Sequence, residues 1–395
     1  MKLALDDREL ALREEARAFL EENVPDPAEI PHDFDAKVEF LRTWQARLHE
    51  AGLVGLSWPK AYGGRGASLT EQIVVNAEMA RAGAPIVIGN VGLDVVGPSL
   101  VEQGTDEQKA RFLDRILSGA DIWCQGFSEV GAGSDLAALR TKARIKDDGG
   151  FVIDGHKIWT SYAQHAQWCA VLARTDADAP AHRGISYILV DMSSPGIEIR
   201  PLVQVTGDAE FSEVYFDGVE VPAENLLGEL NGGWGIAMHT LSHERGWYGV
   251  GRQAVLRVLL DGMVEEAGAL RRGGRPALED PDVRATLARA HIGLEVLKHQ
   301  GLRSVGQMIA DGHPGLESSV DKVVLGRVEQ EMAAAGLDAL GAHAALGGGA
   351  PAGTDPEAWQ HVYLYARAGS VYGGAAQIQK NIIAERILGL PKEAR

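Results

Sequence analysis

The sequence predicts an α+β chain in three parts: an N-terminal helical domain over 1–122, a middle β-barrel or sandwich domain over 123–228, and a C-terminal antiparallel helix bundle over 229–395. Three observations carry this. Apolar residues recur at helical spacing in the first and last thirds of the chain. Between them, short β-rich runs are separated by Pro-Gly, Asp-Gly and Val-Pro pairs. No strand–helix–strand alternation occurs, which excludes a doubly wound dinucleotide-binding fold.

In the first part, Asp6 or Asp7 can cap a helix carrying Leu10, Leu12, Ala16, Phe19 and Leu20. Pro25, Pro27 and Pro31 end it. A second helix places Val38, Leu41, Trp44, Leu48 and Ala51 on one face and stops at Gly52. Leu56 to Gly66 reads as a loop. Ser68 and Thr70 ahead of Glu71 open another helix in capping-box fashion, and Gly104 to Lys109 starts one more, through Leu117.

In the middle part, Phe151-Val152-Ile153, Asp154-Gly155 and Lys157-Ile158-Trp159 read as strand, two-residue turn and return strand. Ile185 to Val190 and Phe211 to Phe216 are further strand runs, with Asp217-Gly218 as punctuation. The helical period returns at Gly232. It predicts helices from Trp234 to about Gly268, Val283 to about Ala310, Ser318 to about Leu340 and Pro356 to about Ser370. A last helix runs from about Ala376 to Gly389. Arg271 to Pro276 is a basic loop.

A formal net charge of -17 argues against nucleic acid, which needs a basic surface. The two cysteines, Cys124 and Cys169, form no CxxC and no disulfide framework, so buried thiols in a reducing compartment are expected. The first residues lack the apolar core of a secretory leader, and no run of about 18 apolar residues occurs. A cytoplasmic protein that does not enter the membrane is the expectation.

The stretch from Trp123 to Ser161 holds the chemistry. It opens Trp-Cys-Gln-Gly-Phe-Ser-Glu-Val-Gly-Ala-Gly-Ser-Asp-Leu and closes Asp-Gly-His-Lys-Ile-Trp-Thr-Ser. Small and hydroxylated residues at Ser128, Gly131, Gly133 and Ser134 let a backbone approach a flat or phosphorylated ligand and aim amide donors at it. Trp159 can lie against a planar ring, with Thr160 and Ser161 as hydrogen-bonding hydroxyls. An ordinary β-hairpin beside a glycine-rich loop would share either half alone.

On the helix after the β-domain, Ala237, Leu241, Glu244, Tyr248 and Val255 share a stripe. A carboxylate there is either one half of a salt bridge, with Arg245 or Arg252, or a base strengthened by burial. His239 and His243 are four apart, a spacing that metal sites use, but Arg245-Gly246-Trp247 follows instead of the zincin continuation. No metal site is expected, and no P-loop or Gly-x-Ser-x-Gly elbow occurs.

The two halves at 123–161 together resemble the flavin-binding middle domain of the acyl-CoA dehydrogenase family, with Val130 in place of the usual proline. Trp58-Pro59 with Gly63-Gly64, then Gly97 to Leu100, then Gly104 to Lys109 follow the family's N-terminal order. The resemblance covers nearly the whole chain. It implies FAD as cofactor, contacted by Phe127, Ser128, Gly133, Ser134, Trp159, Thr160, Ser161 and Gln377. Ser134, Arg245 and Tyr372 would touch the substrate, an acyl-CoA or acyl-carrier thioester. Most members place the α-proton base where this chain has Gly373, in Tyr372-Gly373-Gly374-Ala375-Ala376-Gln377-Ile378-Gln379. A minority place it in a Glu-Arg pair on the long helix, where Glu244-Arg245 falls. The resemblance therefore implies Glu244 as base, with the backbone N–H of Gly373 as a donor to the thioester carbonyl.

The Arg-x-x-Phe-Gly motif that reaches a neighbour's flavin is absent. The second neighbour-facing segment has become His343 to Gly349, and Ala375 replaces a threonine. These losses and the run Gln379 to Pro391 resemble a bacterial branch, some of whose members take steroid side-chain thioesters and assemble as mixed tetramers. The implied partners are an electron-accepting flavoprotein and either further copies, as homodimer or homotetramer, or a paralogue in a heterotetramer. The implied setting is fatty acid or lipid metabolism. A same-fold flavin monooxygenase and a subunit of a mixed dehydrogenase are the alternatives.

Overall fold

The computed structural model describes residues 5–312, 315–346 and 354–392, with the side chains of 242–250 excepted. The chain divides into two compact units, one of residues 15–72 and 84–244, the other of residues 1–14, 73–83 and 245–395.

Helix ends in the first third follow their caps. Helix α1 (Asp7–Asn23) starts at a reciprocal pair: the Glu9 N–H donates to Asp6 Oδ1 at 2.9 Å and the Asp6 N–H to Glu9 Oε2 at 2.8 Å. Helix α2 (Phe34–Glu50) buries Val38, Leu41, Trp44 and Leu48, and Gly52 follows with φ +64°. Ser68 and Glu71 form a capping box at α3 (Leu69–Arg81). A π-helical turn, Val91–Val96, runs into α4 (Gly97–Gln103).

Two motifs that are weak separately turn out to be one contact. The Trp58 ring lies so close to Gly97 that a Cβ there would fall 2.0 Å from Cζ2, and the indole N–H donates to Leu93 O at 3.3 Å. Any side chain at 97 would evict the tryptophan.

Helix α5 (Asp106–Leu117) begins at the Thr105 capping box. Its Gln108 side chain also donates to Glu224 O at 2.8 Å and Leu226 O at 2.9 Å. That ties the helix start to the end of the β-domain.

The β-domain has strands β1 (Trp123–Gly126), β2 (Lys142–Ile145), β3 (Phe151–Ser161), β4 (Trp168–Arg174), β5 (Ile185–Asp191), β6 (Ile197–Leu202), β7 (Phe211–Val221) and β8 (Leu226–Leu227). They form one sheet in the order β6-β7-β3-β2-β4-β5-β8, with β1 parallel to β4. A single residue pair, Lys142 with Arg174, joins β2 to β4. Inward residues of both halves, among them Cys124, Ile153, Cys169, Val171, Ile188 and Val214, make one core. Both thiols are buried and free.

The hairpin expected at Asp154-Gly155 is not there. Phe151 to Ser161 is one unbroken strand paired along β7, and the turn before it is at 146–150, where the Lys146 N–H donates to Gly150 O at 2.8 Å. Asp217-Gly218, expected to end a strand, is likewise inside β7. The two Asp-Gly pairs face each other at a register shift. Gly218 is left-handed at φ +62°, and its N–H donates to Asp154 Oδ1 at 2.9 Å. Turn residues are also bulge residues, because both conformations call for positive φ or a missing Cβ.

In the other unit, α7 (Pro281–Asp311), α8 (Ser318–Leu340) and α9 (Pro356–Tyr365) pack around Leu294, Leu325, Met332 and Trp359. Helix α6 (Gly233–Ala269) supplies Leu256, Leu260 and Met263 to the same core. The basic loop carries a two-residue ladder, Arg271–Arg272 with Arg275–Pro276. The last helix, α10 (Ala376–Ile382), gives way to a π turn at Ile383–Ile387. Among the described residues no helix is long and apolar enough to cross a membrane.

Candidate functional site

The candidate ligand surface is set by a second register shift. Lys157 pairs with Val214 and Thr160 with Ser212, so β3 has one residue more than β7 over this interval. Strict alternation would put Trp159 on the inward face with Lys157. The extra residue turns it out: Trp159 is 58% exposed, and its ring meets Phe211 edge-on at 6.1 Å. Trp159 adopts φ +60°, a rare conformation for a bulky residue and one that cores seldom require.

Thr160 returns inward and is fully buried, its hydroxyl without a partner among the described residues. The bulge therefore separates the two hydroxyls expected beside the indole. Ser161 is half-buried on the outer side and Thr160 is inside. Any ligand contact from residue 160 would come from its backbone.

Opposite Trp159 in sequence, residues 127–134 leave β1. The Phe127 ring is buried edge-on to Tyr187 at 5.7 Å. Glu129 and Ala132 exchange both backbone hydrogen bonds, at 3.1 and 3.0 Å, which folds Val130-Gly131 into a tight turn. Gly133 and Ser134 are exposed, and their backbone N–H groups have no acceptor among the described residues. A Cβ at Gly131 or Gly133 would meet open space. The loop that carries these uncommitted donors is joined to the indole's strand where Ser128 O accepts the Ile158 N–H at 3.0 Å. Such donors together with an outward indole fit a ligand with a flat ring and an anionic or carbonyl edge.

Beneath this surface lies an ion pair the sequence reading missed. The Lys157 side chain is fully buried, and its Nζ donates to Glu129 Oε1 at 2.8 Å and Phe127 O at 3.0 Å. The Glu129 carboxylate also accepts the Thr141 N–H at 2.9 Å and the Arg140 N–H at 2.7 Å. Burial pulls the Lys157 ammonium below its ordinary range, against the attraction of Glu129. Burial pushes the Glu129 carboxyl up, but Lys157 and the two backbone donors outweigh it, so the group is held below its usual value. The missed signal was phase: Lys157 keeps the inward period of Phe151 and Ile153.

In the other unit, Gly373 and Gly374 have φ +61° and +92°. A Cβ on Gly374 would fall 2.3 Å from Gln379 Nε2. Gln379 is buried, whereas Gln377, the expected flavin contact, is exposed. Tyr372 is half-buried under Lys322, whose Nζ is 4.1 Å from the ring centroid and donates to Gly369 O at 2.8 Å. The side chains of Glu244, Arg245, His243 and Tyr248 lie outside the described residues, as do Gly347 to Gly349. Of the stripe around Glu244, Ala237 is buried, but Val255 is 37% exposed, so the stripe does not continue inward that far. His239 is 3.3 Å from Glu102, and no group of three metal-ligating side chains occurs among the described residues.

Three family models match the chain in order: the acyl-CoA dehydrogenase N-terminal domain over 6–120, the middle domain over 124–219 and the C-terminal domain over 231–388. The acyl-CoA dehydrogenase IpdE1 of Mycobacterium tuberculosis (strain ATCC 25618 / H37Rv) is 42% identical over 361 residues, 90% of each chain. The solved Tcur3481-Tcur3483 steroid ACAD superposes with a TM-score of 0.86 at 31% identity, over 100% of both chains. The ChsE4-ChsE5 complex from Mycobacterium tuberculosis gives 0.86 at 30% identity, again over 100% of both. With helices, β-domain and helices in the family's order and all three models matched, the chain belongs to the acyl-CoA dehydrogenase family of oxidoreductases.

Proposed function

We propose that the chain is an FAD-dependent α,β-dehydrogenase of a bulky acyl-CoA, with Glu244 as the base that removes the α-proton. The observation that carries the choice of base is Gly373, at φ +61°. The usual base position has neither a carboxylate nor a backbone that a side-chain-bearing residue adopts without strain. Glu244 is the carboxylate at the family's other base position.

The outward indole of Trp159, the free amide donors of Gly133 and Ser134, and the hydroxyls of Ser128 and Ser161 are suited to hold FAD. Bound FAD would accept the β-hydrogen as hydride. Glu244 would take the α-proton while the Gly373 N–H stabilises the charge growing on the thioester oxygen. Arg245 and Tyr372 would bind the thioester arm. The small run Gly373-Gly374-Ala375-Ala376 leaves room for a wide acyl group, and the steroid ACAD among the structural neighbours supports a substrate of that size. Two neighbours are named as pairs of chains, which supports assembly with a paralogue. A flavoprotein is the proposed electron acceptor.

The test is Glu244→Gln on the flavin-loaded protein. Turnover of acyl-CoA should fall by about 10²–10⁴-fold, with flavin content unchanged. Wild-type turnover in the variant would remove Glu244 from the mechanism.

A further inference from the structure

We infer that Lys157 is a positioning residue for the candidate flavin surface, fastening the loop that carries Ser128, Gly133 and Ser134 to the strand that carries Trp159. This rests on the function proposed above and concerns a residue to which that function gives no role.

The two halves of the surface are 25 positions apart in sequence, counting from Ser134 to Trp159 (159 − 134). They are joined at three consecutive loop residues. Phe127 O and Glu129 Oε1 both accept from Lys157 Nζ, at 3.0 and 2.8 Å, and Ser128 O accepts the Ile158 N–H at 3.0 Å. Trp159 is the next residue, at the bulge. The anchor is itself anchored, since Glu129 accepts from the backbone at Arg140 and Thr141 as β2 begins. A shift of Lys157 would move both sides together.

A buried ion pair is a poor way to gain stability, because two well-packed apolar residues usually do as well. It is a good way to fix one arrangement of two segments, since a buried charge can leave its place only by giving up directional hydrogen bonds that nothing apolar replaces. An apolar side chain at 157 would fill the same space, leaving the Phe127 carbonyl without this donor and tying the Glu129 carboxylate only to the Arg140 and Thr141 N–H groups, no longer to the strand that carries Trp159.

The experiment compares wild type, Lys157→Met and the double variant Glu129→Gln/Lys157→Met, all as the full chain. Three quantities are read: melting temperature, amide exchange over 127–135 in the flavin-free protein, and the dissociation constant for added FAD. The double variant leaves no unpaired buried charge, so its melting temperature should return close to wild type. Its exchange over 127–135 should stay fast, and FAD should bind about 10-fold to 100-fold more weakly, as expected for losing a charge-assisted hydrogen bond that orders the site. If the double variant recovers exchange protection and FAD affinity along with melting temperature, the pair is structural only and the inference fails. It fails equally if Lys157→Met matches wild type in exchange. Should Lys157→Met not fold, the double variant decides alone. A wild-type chain that ignores FAD would overturn the flavin assignment, while the exchange comparison still decides the fastening.

Discussion

Trp159 presents its ring because one residue too many is inserted in its strand, and Gly155 is what lets that strand pass β2 closely enough. A Cβ at Gly155 would lie 2.4 Å from Thr141 Oγ1 and 2.7 Å from Thr141 Cα. The second of these is backbone, so no rotamer change relieves it. Thr141 is also where Glu129 takes one of its backbone hydrogen bonds, so the displaced atoms hold the ion pair. Gly155→Ala should therefore cost stability by about 1–3 kcal/mol, the usual range for overpacking. Urea unfolding at unchanged slope would show it. A variant within a few tenths of wild type would mean that β2 yields freely and that the close approach is incidental. The sequence marked Gly155 as special for a different reason, as a turn residue, and only the partner strand shows why it has no side chain.

At the scale of elements, what was legible in the sequence was what neighbouring residues decide. Helix starts at Asp6, Ser68 and Thr105 follow from a side chain and a backbone N–H three positions apart, and α8 runs from Ser318 to Leu340 as its period predicts. The two bulges in β3 and β7 were not legible, because a register shift belongs to a pair of strands and neither sequence contains it. The candidate ligand surface was half legible for the same reason: its residue types declare themselves, but the inward turn of Thr160 depends on the bulge. Gln108 separates the two kinds of information. Capping-box logic treats Gln and Glu at this position as equivalent, since either accepts the Thr105 N–H. In the fold, Gln108 Nε2 also donates to the carbonyls of Glu224 and Leu226, which a carboxylate cannot do. Gln108→Glu should preserve the helix start and still destabilise the protein by about 2–3 kcal/mol, the loss of two hydrogen bonds in a buried setting. A neutral result in thermal or urea unfolding would reduce Gln108 to a helix cap.

For the whole molecule, the deciding quantity is how much of a flavin site one kind of chain can complete. In the family, a neighbouring subunit reaches the flavin with two segments that this sequence lacks: Arg271 to Pro276 stands where Arg-x-x-Phe-Gly would be, and the second segment is altered from His343 onward. A second copy of this chain cannot supply what the first copy lacks, whereas a paralogue can. The chain also has apolar surface to cover: Ile292, Val296 and Ile309 on α7 are 60%, 52% and 57% exposed. Isolated exposed residues need no explanation, but Ile292 and Val296 lie one turn apart on one face of α7, and such a pair favours a subunit contact. With a net charge of -17, any such contact must overcome like-charge repulsion between copies. A partner of lower negative charge meets less of it. Purified alone, the chain should therefore hold well under one FAD per polypeptide and form an incomplete assembly. Co-expression with a paralogue should raise both the flavin content and the molar mass. The check is the visible spectrum and light-scattering mass taken on the same sample. About one FAD per chain in a tetramer of this chain alone would instead establish a self-sufficient enzyme, whose own residues replace the missing contacts.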